Sequence, residues 1–205
     1  MKEVDSSLTD QAQAPLDDAT FKAELAAIIP HLRAFGRSLS GSRDAADDLV
    51  QETMMKAWSA RDRFQPGTSM RAWTFIILRN IFLSQMRRNR FRGEWDDGVA
   101  DGILAAPAGQ DKQLELADVY RAMQMLPTSQ REALILVGAG GFAYEEAAEI
   151  CGVAVGTIKS RVARARAALD SIITKGRLPA RQSGDLGGRE SMIQFMASVD
   201  DLSGQ

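Results

Sequence analysis

The sequence predicts an all-α protein of two small helical domains joined by a flexible acidic linker. Three observations carry this. Ala, Leu, Met, Arg, Gln and Glu dominate the middle of the 205-residue chain, and runs of β-branched residues are almost absent. Apolar residues recur at three- and four-residue spacing, the period of a half-buried helix. Charge is segregated. Residues 21–92 carry thirteen bases and six acids, a net of +7, and residues 119–178 net +3, whereas residues 93–118 carry one base and seven acids, a net of -6. The total of -2 conceals two positive blocks, and a polyanionic partner responds to the local charge.

Residues 1–19 are polar and acidic, with Pro15, and are expected to be disordered. The first domain is expected over 20–92. FKAELAAIIPHLRAFGRSL places Leu25, Ile28, Ile29, Leu32, Phe35 and Leu39 on a helical stripe, which Pro30 kinks or divides. Ser42 is a candidate cap for the next helix, GSRDAADDLVQETMMKAW, whose acids fall in its early turns where the dipole favours them. RFQPGTS is a loop with a Pro-Gly turn. SMRAWTFIILRNIFLSQMRRNRF is a long helix that begins apolar and ends basic. Residues 93–113, with four glycines, Pro107 and many acids, form the linker.

The second domain is expected over 114–178. LELADVYRAMQML is one helix, ended by Pro127, and TSQREALILVG is the next. In FAYEEAAEICGVAVGTIKSRVARARAALDSIITKG, Cys151-Gly152 breaks a short helix, and a second begins near Gly156 and Thr157. Ile158, Val162, Ala165 and Leu169 form its inner stripe, and small Ala147 and Ala148 allow close crossing. The outer face is expected to show Thr157, Lys159, Ser160, Arg161, Arg164 and Arg166. That pattern predicts a helix-turn-helix, with 157–161 near base edges and Arg164 and Arg166 near phosphates. A helical hairpin with a solvated basic face is the plainer alternative. The tail 179–205 is expected to be loose, with one apolar cluster at Met192, Ile193, Phe195 and Met196.

Two features of the first domain stay open on the residues alone. Arg79, Arg87, Arg88, Arg90 and Arg92 run beside Trp73, Phe75, Phe82 and Phe91, a mixture that suits unpaired bases and phosphates, although rings such as Phe75 also belong to a core. Asp44, Asp47, Asp48, Gln51 and Glu52 form an acidic face that fits a solvated surface, a divalent-cation site or a docking patch.

Other function classes find little support. His31 and Cys151 are the single histidine and cysteine, which argues against histidine metal sites, triads, internal disulfides and thiolate clusters. His31 is expected to be structural or exposed, and Cys151 to be buried as a small hydrophobe. No stretch of 18 uncharged apolar residues predicts a membrane span, and the opening MKEVDSSLTD lacks the apolar run of a secretory signal. The expectation is a cytoplasmic, non-enzymatic protein that needs no cofactor.

DAADDLVQETMMKAW, SMRAWTFIILRNIFLSQMRR, LPTSQREALILV and YEEAAEICGVAVGTIKSRVARARAAL together resemble the extracytoplasmic-function (ECF) sigma factors of RNA polymerase. The resemblance is greatest to the alphaproteobacterial general-stress-response subgroup (EcfG-like). It implies a region 2-like helical bundle and a region 4-like four-helix domain carrying the helix-turn-helix. By this resemblance Asp48, Leu49, Gln51 and Glu52 dock on the polymerase β′ clamp. The loop 64–69, with Phe64, Trp73 and Asn80, recognises and melts the −10 element, while Arg79, Arg87 and Arg88 hold the strand. Thr157, Lys159, Ser160, Arg161, Arg164 and Arg166 read the −35 element beside the β flap. The resemblance also implies a small NepR-like anti-sigma partner, and both a compact inhibited form and an extended polymerase-bound form. The rival readings are a stand-alone helix-turn-helix regulator and a sigma-like decoy. A decoy of the PhyR kind would need a receiver domain, for which the chain has neither room nor strand pattern.

Overall fold

The computed structural model of the chain describes residues 16–91 and 116–176, and every described element is helical. The expectations for the first fifteen residues, for Arg92 and the linker, and for the C-terminal tail fall outside the described residues.

The first half is built from α1 (Asp18–Ala27), α2 (Ile29–Ser40), α3 (Arg43–Ser59) and α4 (Met70–Phe91). α1 starts inside the stretch expected to be disordered, because Asp17 caps it. The Asp17 carboxylate accepts from the N–H groups of Ala19 at 2.9 Å and Thr20 at 3.0 Å and from the Thr20 hydroxyl at 2.7 Å. Pro30 divides the predicted helix. It sits in the first turn of α2, where its missing N–H removes no helical bond. Gly41 closes α2 at φ 72°, donating its N–H to the Arg37 carbonyl at 2.8 Å. The Ser42 hydroxyl accepts from the Ala45 N–H at 3.4 Å, the cap expected for α3. A 3-10 turn, Arg61–Arg63, leads into the loop before α4.

The second half contains α5 (Leu116–Gln124), α6 (Thr128–Leu134), α7 (Tyr144–Cys151) and α8 (Val155–Thr174). The helix expected after Pro127 is only partly α-helical. Ile135–Ala139 forms a π turn, closed by the Gly140 N–H on the Ile135 carbonyl at 2.6 Å. A Cβ on Gly140 would lie 2.5 Å from the Leu136 carbonyl oxygen, so glycine is the residue that fits there. Gly152 turns the chain between α7 and α8 at φ 63°. The Glu146 carboxylate accepts the Ala143 N–H at 2.9 Å, so this acid caps α7 as well as favouring its dipole.

The halves pack against each other over one shared core. α4 lies against α7, and α2 against α6. Phe75 stacks on Phe35 with centroids 4.7 Å apart and meets Phe142 from the other half edge-on at 5.1 Å. Two carbonyls in the last turn of α2 receive donors from the second half, that of Arg37 in addition to the Gly41 N–H. Arg131 donates from Nη2 to the Leu39 carbonyl at 3.2 Å, and the Tyr120 hydroxyl donates to the Arg37 carbonyl at 3.4 Å. Among the described residues no helix is long and apolar enough to cross a membrane, and no group of three or more His, Cys, Asp or Glu side chains gathers to hold a metal ion.

Candidate nucleic-acid interface

α8 presents the helix-turn-helix. Ala147 and Ala148 are buried, and Ile158, Val162 and Ala165 face them from α8. The six polar candidates do not share one face, which corrects the expectation. At roughly 100° per residue, Thr157, Ser160, Arg161 and Arg164 fall on one flank, while Lys159 and Arg166 fall on the other. Contacts agree with the split. Arg164 donates to the Ser160 carbonyl from Nε at 3.3 Å and to its hydroxyl from Nη2 at 3.0 Å. Lys159 instead holds its ammonium 5.8 Å from the centre of the Tyr144 ring. Thr157, Ser160, Arg161 and Arg164 are thus the set that one DNA groove could meet together.

The first half divides its candidates more sharply. On α3, Asp48 and Gln51 are exposed and Glu52 is half-buried, but Leu49 is 1% exposed. Leu49 belongs to the core and offers no docking surface, because it shares the inward stripe with Ala46 and Thr53. Met55, 63% exposed, completes the outward stripe of Asp48, Gln51 and Glu52. Sequence reasoning missed Met55, although its position seven residues after Asp48 was the available signal. Asp47 pairs with Arg33 at 3.1 Å, and Glu52 pairs with Lys56 at 2.8 Å.

Phe64, expected to take part in base capture, is 8% exposed. It packs against Phe21 at 5.9 Å and Trp73 at 5.3 Å, so the loop's ring closes an aromatic cluster. Trp73, half-buried, belongs to the same cluster, being 6.2 Å from Phe21. The loop offers Gln65, Thr68 and Ser69 as its exposed polar groups. On α4, Trp73, Asn80 and Arg87 recur every seven residues along one stripe, with Asn80 and Arg87 exposed. Arg88 turns to a groove of about 440 Å³ that it shares with Glu52, Lys56, Ile81, Ser84, Arg87 and Phe91. Phe91 is 92% exposed. One groove therefore joins an acid assigned to protein docking with two arginines assigned to DNA, a juxtaposition that sequence separation hid.

Arg79 is not with them. Its guanidinium lies on the side of α4 that faces the second half, where it meets Glu132 of α6 through Nε at 2.5 Å and Nη2 at 3.4 Å. The two side chains are 15% and 5% exposed, so Arg79 as described is closed to a DNA strand. Cys151 is buried beside this pair. Burial, and then the neighbouring Glu132 carboxylate, push its thiol pKa up to about 12, which makes it an inert thiol. His31 is buried too, and burial followed by the charge of Arg71 holds its pKa below the ordinary value.

Comparison with known proteins places both halves. Residues 26–92 match sigma-70 region 2, and residues 116–169 match sigma-70 region 4. The ECF RNA polymerase sigma factor EcfG of Rhodopseudomonas palustris is 52% identical over 159 residues, covering 78% of this chain and 87% of that protein. The sigma factor RpoE from Bartonella quintana, solved in complex with the anti-sigma factor NepR, is 51% identical with a TM-score of 0.64, covering 76% of this chain and 97% of its own. The RNA polymerase sigma factor CnrH of Cupriavidus metallidurans is 33% identical over 148 residues, covering 67% of this chain and 78% of that protein.

Proposed function

The chain belongs to the ECF sigma factors of RNA polymerase, in the alphaproteobacterial EcfG-like subgroup, and from that premise we propose how its residues divide the work. Sigma factors direct polymerase to promoters and are not themselves catalysts. Here the first domain, 20–92, engages core polymerase at the β′ clamp through the α3 stripe of Asp48, Gln51, Glu52 and Met55. Its exposed loop and the α4 stripe of Trp73, Asn80 and Arg87 handle the −10 element. Opening the duplex there unstacks bases at a cost of about a few kcal/mol, which protein contacts to the freed strand offset. Arg79, Arg87 and Arg88 supply cations for that strand. The second domain, 114–178, places α8 in the −35 major groove, with Thr157, Ser160, Arg161 and Arg164 on the reading flank and Lys159 and Arg166 nearer the backbone, and it adjoins the β flap. The promoters are those of general stress response genes, and the protein works in the cytoplasm, where polymerase is.

The observation that carries this reading is the pairing of two matched modules, each with a basic helix, in one chain. The Bartonella quintana relative is bound by NepR, and a small NepR-like protein is the proposed inhibitor of this chain as well. The test is run-off transcription. Purified chain added to core polymerase is expected to initiate at a defined start on a stress promoter, while the chain alone binds that promoter weakly. Duplex binding without initiation would favour the stand-alone regulator, and NepR binding without either would favour the decoy.

A further inference from the structure

Arg79 has two incompatible destinations. A carboxylate and a phosphodiester offer a guanidinium similar pairs of anionic oxygens, and the Nε–Nη2 edge of Arg79 is already occupied by Glu132. Given the assignment of Arg79 to the melted strand, we infer that the Arg79–Glu132 pair is a latch between the two halves, in which Glu132 holds the guanidinium that the DNA backbone would otherwise engage. The chain closed at this point does not grip the strand with Arg79, and the chain gripping the strand is open at this point.

The composition of the seam supports a latch over a purely structural bond. A buried ion pair adds little net stability compared with apolar packing, and its best-attested use is to select one arrangement. Beside the apolar Phe75–Phe142 contact, the polar contacts across the seam are of the same directional kind. Arg131 and Tyr120 of the second half hold carbonyls of α2, and the Arg71 guanidinium lies 4.1 Å over the Phe142 ring. Closure also has a cost. Arg71 Nε and Nη2 are buried with no hydrogen-bond partner among the protein groups, and a buried donor left without a partner is unfavourable. A seam in which directional contacts and unsatisfied donors surround the apolar Phe75–Phe142 contact is easier to open, when a competing anion takes Arg79, than one closed by apolar packing throughout.

Cys151 supplies the reporter. It is the single cysteine of the chain, it is 3% exposed, and its neighbours are Glu132 and Arg79. In the full-length chain, Glu132→Gln is expected to raise the rate of Cys151 modification by a small maleimide at least tenfold, each rate being normalised to its own thiolate fraction from its pH profile because loss of the Glu132 charge alone raises that fraction. Arg79→Lys, which keeps the charge but loses the planar fork, is expected to raise it severalfold and serves as the second variant should Glu132→Gln fail to fold. Modification rates within twofold of wild type in the folded variants would overturn the latch. A second arm tests the premise separately. Holoenzyme made with Arg79→Gln is expected to bind a fork-junction promoter fragment with an unpaired non-template strand at least tenfold more weakly, whereas holoenzyme made with Glu132→Gln stays within twofold of wild type. Fast modification with unchanged fork binding by Arg79→Gln overturns the shared arginine through its premise. Slow modification with weakened fork binding overturns the latch and leaves the premise standing.

Discussion

Among the described residues α4 and α8 are the two longest helices, at 22 and 20 residues, and both carry arginines on their outer sides. They are held in different ways. α4 buries Met70, Thr74, Phe75, Leu78, Ile81 and Phe82, and it is gripped by α2 and α3 on one side and α7 on another. α8 buries only Ile158, Val162 and Ala165. The difference lies in the side chains beneath. Rings such as Phe21, Phe35 and Phe75 supply much of the core around α4. Alanines at 147, 148 and 165 let α7 and α8 approach closely, and a close crossing leaves the far side of α8 bare. Each helix packs on three others, α4 on α2, α3 and α7, and α8 on α5, α6 and α7, but the aromatic core buries more of α4, whereas the smaller side chains around α8 leave more of its surface bare for a groove.

Four substitutions probe that contrast, in descending order of effect. Phe75→Ala removes the ring shared by both halves and is expected to cost about 3–5 kcal/mol of unfolding free energy, measured by urea denaturation. A loss under about 1 kcal/mol would mean that the halves do not depend on a common core. Ala148→Leu forces side-chain volume into the α7–α8 crossing and is expected to cost about 1–3 kcal/mol. Its duplex affinity should fall with it, while binding of core polymerase by the first half persists. Gly152→Ala meets no atom within 4 Å but must adopt φ 63°, so the strain alone is expected to cost about 1–2 kcal/mol, read as a lowered melting temperature.

The smallest effect belongs to His31. Its pKa is depressed in the folded chain by burial and then by Arg71, so the folded state binds the proton less readily than the unfolded state. The contribution is present above the ordinary value of 6.5 and is lost as pH falls below it toward the depressed folded value. Stability should therefore decline on acidification below pH 6.5, and His31→Gln should flatten that decline in denaturation curves taken across the interval. An unchanged slope would remove His31 from the acid response.

Much of the fold was legible because its signals are local. Pro30, Ser42 and Gly152 act within a few residues of themselves, and the inward stripe of α8 is set by spacing alone. The helix-turn-helix was legible to the same extent, but the division of its polar residues between two flanks was not. The features that escaped depend on packing between distant segments. Glu132 lies 53 positions from Arg79, and nothing near either residue announces the other. Phe64 sits in a loop, where no period tells an inward ring from an outward one. Leu49 lies in a stretch whose resemblance points to docking, yet its place on the inward stripe prevails. Met55 escaped because an apolar residue beside an apolar stripe reads as core until the neighbouring helices are in place.

The π turn at Ile135–Ala139 leaves chain length adjustable at this point. It accommodates one residue more than an α-helical path would, and Phe142 reaches the seam just beyond it. Deleting a single codon here would let ordinary helical bonding resume and leave the residues beyond it pointing roughly as they do now, Phe142 toward Phe75 and Arg71 included. Over evolutionary time such a segment should tolerate the loss of one residue more readily than the α-helical turns before it, where a deletion rotates everything downstream by roughly 100°.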